Sequence, residues 1–109
     1  METIKKYEDF AMPEEAPTVR TGFVVVRIKP AVKEDGRYGL RVTKKTFKRA
    51  NKRNYAKRLL RAMLREHMDK IMPGFDYVFY GRTNILEIPY AEMSYEFGKA
   101  LKKIGKLCP

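Results

Sequence analysis

Between Arg37 and Arg65 the chain places twelve cationic side chains and not one Asp or Glu. They are Arg37, Arg41, Lys44, Lys45, Lys48, Arg49, Lys52, Arg53, Lys57, Arg58, Arg61 and Arg65. Guanidinium and ammonium groups at this density suit one task above others, the neutralising and hydrogen-bonding of phosphate oxygens. Arg53, Lys57, Arg61 and Arg65 recur at four-residue steps, with Arg58 beside them. In an isolated helix like charges at that spacing repel by roughly 0.2 to 0.5 kcal/mol per pair. Nothing nearby in sequence offsets that repulsion, and a bound polyanion would. The whole chain has 24 basic and 13 acidic residues, a net charge of +11; without the twelve it has 12 against 13, a net −1. The positive charge is therefore local, and the rest is a near-neutral globular chain.

Other chemistries lack their residues. Metal-assisted phosphodiester hydrolysis needs converging carboxylates, and metal-free hydrolysis needs an acid and base pair. Glu66, Asp69, Asp76 and Glu87 are scattered, as surface charges are, and His67, the one histidine, falls on an apolar stripe where it would pack at the core edge. No catalytic residue, protein-held metal or bound cofactor is expected, and no activity from the protein alone. Cys108 is the only cysteine and reads as a passive terminal residue, which excludes an internal disulfide. A membrane partner is disfavoured because the Leu and Met stripe of the basic segment has the width a core buries. No apolar run approaches the roughly 18 residues of a spanning helix, and METIKKYEDF has no secretory pattern. A cytoplasmic location is expected.

Several elements must position the cations. From about Lys48 to Ile71, Ala56, Leu59, Leu60, Met63, Leu64, His67 and Ile71 recur at helical steps, and Pro73 and Gly74 stop the run. Thr3 to Phe10 reads as a short first helix with Thr3 as N-cap, limited by Pro13 and Pro17. Phe23 to Ile28 is a β-branched strand, with a short strand possible at Thr18 to Arg20. After the turn KEDGR, where Gly36 tolerates positive φ, Tyr38, Leu40 and Val42 alternate as a half-exposed strand, expected to form an antiparallel hairpin with Phe23 to Ile28. DYVFYG, 76–81, is an aromatic strand. Pro89 suits the first turn of a last helix carrying Met93, Phe97, Ala100, Leu101 and Ile104, with Lys99, Lys102, Lys103 and Lys106 towards its end, where the helix dipole favours them. One domain over residues 1–109, with helices against a small sheet, is the expected organisation.

The stretch RYGLRVTKKTFKRANKRNYAKRLLR resembles the signature of the protein component of bacterial ribonuclease P. Arg37 and Gly39 match its Arg-x-Gly strand, Thr43, Lys44 and Lys45 its Ser/Thr-Lys-Lys end, and Ala50, Arg53, Asn54, Lys57, Arg58 and Arg61 its basic helix. Tyr55 stands where the family has a second Arg, and the loop Thr46 to Arg49 is one residue longer and lacks the usual glycine. KKYEDF and IPYAEMSYEFGKALKKI extend the resemblance over nearly the whole chain.

The resemblance implies an αβββαβα sandwich with a small, mostly antiparallel sheet of about four strands and a left-handed crossover at the long basic helix, like the second domain of a small-subunit ribosomal protein. It implies one protein bound to a large catalytic RNA, which with Mg²⁺ removes the 5′ leader of precursor tRNA. The RNA-contacting residues would be Arg41, Lys44, Lys45, Lys48, Lys52, Arg53, Asn54, Tyr55, Lys57, Arg58, Arg61 and Arg65. By position Phe10 and Phe23 match aromatics near the leader cleft, and a family Tyr in the second strand appears as Val26. Burial competes with stacking for Phe10 and Tyr55, and outweighs contact for Phe23. The alternative reading is a ribosomal or chaperone-type RNA-binding protein with no role in tRNA processing.

Overall fold

The computed structural model describes every residue except Lys33, Cys108 and Pro109, so the expectation for Cys108 lies outside the described residues. Strands β1 (Glu2–Thr3), β2 (Thr18–Arg20), β3 (Val24–Pro30), β4 (Arg37–Arg41) and β5 (Phe75–Gly81) form one sheet in the order β1-β4-β5-β3-β2. β1 runs parallel to β4 and β4 to β5, while β5 and β3, and β3 and β2, are antiparallel. In β3, Val24, Val26 and Ile28 are fully buried and Val25, Arg27 and Lys29 only partly, the alternation of a strand with one face on a core.

The expected hairpin between β3 and β4 is not formed. β5 lies between them, pairing Val26 with Phe79 on one side and Leu40 with Phe79 on the other. The reason lies in β5 itself. Tyr77, Val78 and Phe79 are all fully buried, so the strand is apolar on both faces and belongs at the centre of the sheet. A β3–β4 hairpin would leave it at an edge.

Helix α1 (Ala50–Glu66) starts two residues later than expected, because Arg49 is extended (φ −82°, ψ 132°), and it ends sooner. His67 departs from helical geometry and only a 3-10 turn, Met68–Lys70, follows. α1 buries Ala56, Leu60, Met63 and Leu64 over β4 and β5, and α2 (Tyr90–Lys106), with Pro89 as its N-cap, buries Met93, Phe97, Ala100, Leu101 and Ile104 over β2 and β3. Phe79 stacks on Phe97 at 5.2 Å between centroids, and Met72 N–H donates to the Tyr77 hydroxyl at 3.0 Å.

The N-terminal helix expected over Thr3 to Phe10 is replaced by β1 and a 3-10 turn, Tyr7–Phe10. Pairing with a sheet edge wins over a helix of one or two turns, which is marginal on its own. Ile4 N–H donates to Tyr38 O at 2.7 Å and Ile4 is buried. From there the chain crosses the face of the sheet away from the helices. Lys29 Nζ donates to Asp9 O at 2.8 Å and Ala11 O at 2.7 Å, and an Arg27 guanidinium nitrogen donates to Pro13 O at 3.0 Å.

Asp76, expected at the surface, and Arg37, one of the twelve cations, belong to this arrangement instead. Asp76 is 1% exposed and accepts from Arg37 N–H at 2.8 Å and from the Arg37 guanidinium at 3.0 Å; Arg37 also meets Asp9 at 3.1 Å. Arg37 is thus a structural cation, its pKa pushed up chiefly by the Asp76 hydrogen bond. Removing one partner of so buried a pair costs about 3 to 5 kcal/mol.

Candidate nucleic-acid interface

The predicted cations fall on three surfaces. On α1, whose turn is about 3.6 residues, Lys57, Arg61 and Arg65 advance along one flank, with Asn54 between Arg61 and Arg65 and Arg58 further toward solvent. Arg61 and Arg65 line a shallow groove with Tyr38, Leu64 and Met68. The loop before α1 is a turn in which Thr43 O accepts from the N–H groups of Thr46 and Phe47, both at 3.1 Å. Phe47 packs on the core, and Lys44, Lys45 and Lys48 stand exposed around it. Among the described residues, none of Lys44, Lys45, Lys48, Lys57, Arg58, Arg61 and Arg65 has a carboxylate within 4.0 Å.

Three residues do not join that flank. Arg53 turns back and donates from one guanidinium nitrogen to Phe47 O at 2.9 Å and Lys48 O at 2.7 Å, so it holds the loop in place rather than facing outward. Tyr55 is 52% exposed, but it lies about 120° around the helix from Arg61, on the side that faces α2. Lys52 lies on that side as well.

The third surface is the open face of the sheet. Cross-strand neighbours share a face, so Arg41 stands beside Tyr80, and Tyr80 beside Val25. Arg41 stacks its guanidinium over the rings of Tyr7 (5.1 Å) and Phe10 (5.5 Å). Phe10 lies directly on Gly39, where an added Cβ would collide with its ring. The Arg-x-Gly strand is thereby explained: its glycine makes room for an aromatic ring on the open face. Tyr7, Phe10, Met12, Arg41 and Tyr80 line a groove of about 290 Å³.

Phe23 does not share that groove. It is 2% exposed and lies on the helix side, against Ile88 and Met93. The bend at Gly22 and Phe23 precedes β3, so Phe23 escapes the strand alternation and tucks under α2. Val26 is also fully buried on that side, and its neighbour Val25 is the β3 residue on the open face, paired with Tyr80. The sequence reading missed Tyr80, although the two-residue period of β5 places it out of phase with the core-facing Tyr77 and Phe79.

One titratable cluster lies apart. Lys70 Nζ donates to His67 Nδ1 at 3.1 Å, so the imidazole carries its proton on Nε2 and gives it to Ser94 Oγ at 3.1 Å. Ser94 then donates to Glu66 Oε2 at 2.6 Å and Tyr90 to Glu66 Oε1 at 2.7 Å. The polarity is wrong for a general base, since His67 donates to the serine instead of accepting from it. Burial and then the Glu66 hydrogen bond push the Tyr90 phenol up to about 12, while Ser94 first and Tyr90 second hold the Glu66 carboxyl below its ordinary value. The cluster ties the end of α1 to the start of α2.

Comparison with known proteins bears on the fold and on the family. The family described as Ribonuclease P matches residues 2–105. The chain is 36% identical over 106 residues to the ribonuclease P protein component of Geobacillus kaustophilus, covering 95% of this chain and 87% of that one. It superposes on the RNase P protein from Thermotoga maritima with a TM-score of 0.79 at 23% identity, covering 94% and 97% of the two chains. A Staphylococcus aureus RNase P protein mutant gives 0.78 at 26% identity, covering 95% and 87%.

Proposed function

This chain belongs to the ribonuclease P protein family, and from that premise we propose how its surfaces divide the work of processing tRNA 5′ ends. It is part of an endoribonuclease complex and associates with RNase P RNA. In our reading that RNA carries out the hydrolysis with its own Mg²⁺, one protein serves each RNA, and the complex works in the cytoplasm. None of the described helices is long and apolar enough to cross a membrane.

The α1 flank of Lys57, Arg61 and Arg65, with Asn54, Arg58 and the loop lysines Lys44, Lys45 and Lys48, meets the phosphates of RNase P RNA. The observation that carries this is that, among the described residues, no carboxylate lies within 4.0 Å of those cations, which leaves their mutual repulsion to be relieved by an external polyanion. The open sheet face takes the precursor's leader. Arg41 offers charge to phosphates, while Tyr7, Phe10 and Tyr80 offer ring faces to bases, a mode that accepts varied sequence. Tolerance of that kind suits a leader that differs from one precursor to the next.

The test is reconstitution with RNase P RNA and a leader-bearing precursor tRNA at low Mg²⁺. Restored removal of the leader is expected. Tight binding to structured RNA without restored processing would favour the ribosomal or chaperone-type reading instead.

A further inference from the structure

A second cationic surface lies on α2. Lys99, Lys102, Lys103 and Lys106 line a groove of about 440 Å³, and Arg20 at the end of β2 lines it from another element. This groove is at the β2 end of the sheet, whereas Arg61 and Arg65 sit with Tyr38 of β4, near the β1 end. Glu96 also lines it and meets Lys99 at 3.8 Å. Among the described residues Lys102, Lys103 and Lys106 have no carboxylate within 4.0 Å. The expectation that the helix dipole favours all four lysines reaches too far: it acts over the last turn, which holds Lys103 and Lys106 but neither Lys99 nor Lys102, and it says nothing of Arg20 on a different element.

We propose that this groove binds the phosphate backbone of a double-helical segment of RNase P RNA, separate from the segment held by α1. The inference rests on the reading of the previous subsection and adds a second point of attachment to it. No aromatic side chain lines the groove, so it offers nothing on which the bases of a single strand could stack. Tyr95, exposed nearby on α2, has Lys99 Nζ over its ring at 5.4 Å. A duplex keeps its bases stacked within and presents phosphates, which lysines meet as mobile point charges. The leader is excluded by position, since its proposed path runs on the open face and this groove lies between β2 and α2. Insertion into an acidic membrane needs large exposed apolar side chains beside the lysines, and the apolar residues of this lining are Val19 and Ala100, both buried.

The experiment uses the full chain carrying Lys102→Ala, Lys103→Ala and Lys106→Ala together, reconstituted with RNase P RNA. All three lysines are exposed, so unchanged thermal unfolding is expected. Affinity for RNase P RNA should fall about tenfold at moderate salt, and the slope of log K against log salt should shrink by roughly 0.7 to 0.9 for each phosphate no longer neutralised. Hydroxyl-radical protection should disappear from one helical segment that an Arg61→Ala variant still protects. Replacing the same lysines by arginine should restore both. Preference for leader-bearing over leaderless precursor should persist. Unchanged affinity and protection would overturn the proposal while leaving the α1 reading intact. Loss of protection from the leader in place of RNase P RNA would overturn it too, and wild-type protein unable to bind RNase P RNA would sink both readings.

Discussion

Arg53 and Arg61 share a charge, a helix and a family pattern, yet their side chains meet different atoms. The Arg53 guanidinium is already engaged by the carbonyls of Phe47 and Lys48, whereas Arg61 lines an open groove. Their alanine variants should separate accordingly. Arg61→Ala should weaken binding to RNase P RNA by about 1 to 3 kcal/mol, the worth of a charge-assisted hydrogen bond, with unchanged thermal unfolding. Arg53→Ala should lower stability by about 1 kcal/mol and loosen the loop that carries Lys44, Lys45 and Lys48. Binding and melting measured together on both variants check this, and equal melting temperatures would contradict the assignment for Arg53. The sequence reading treated the two alike because spacing reports which residues share a helix side, not which of them find a carbonyl of their own chain. The same limit hid the pairing of Arg37 with Asp76, since 39 positions separate them and only the β4–β5 register brings them together.

At the level of elements, the N-terminal segment and the α1–α2 junction each permit a direct check. Phe10 is seated on Gly39, so Gly39→Ala must shift the ring from its seat. The variant should lose much of the preference for leader-bearing over leaderless precursor while its affinity for RNase P RNA stays near wild type. A preserved preference would remove Phe10 from the leader's path. At the junction, the Tyr90 phenol is held protonated to about pH 12, above its ordinary value of 10.0. Because the folded value is raised, the stabilisation is complete below about pH 10 and is lost as pH rises through about 12. The difference in unfolding free energy between wild type and Tyr90→Phe should therefore shrink across that interval, and a difference independent of pH would show that the hydrogen bond to Glu66 contributes nothing. Both helices were legible from their apolar spacing, as was β3 from its β-branched run. The first element was not, because what turns Glu2 and Thr3 into a strand is the exposed edge of β4, a partner more than thirty residues away.

Across the whole molecule, cationic surfaces stand toward opposite ends of the strand order, and the open face of the sheet carries a third. The α1 concentration was visible in the sequence as an interval without acids. The lysines of α2 were visible there too, as a cluster towards the end of the last helix, but nothing in the sequence brings Arg20 beside them, and outside the α1 interval 12 basic and 13 acidic residues balance. A balance struck over a sequence says nothing of where folding sends each sign. The lysines of α2 gather around Arg20, while Asp9 and Asp76 are drawn to Arg37.

The central position of β5 governs the order of assembly during synthesis. Until Phe75 to Gly81 have left the ribosome, the strand that joins β3 to β4 in the finished sheet is missing. The basic residues of α1 emerge before that closure, so an unfinished chain already displays its polyanion-seeking segment. Folding must wait for a strand made late in translation, whereas electrostatic attraction to RNA need not.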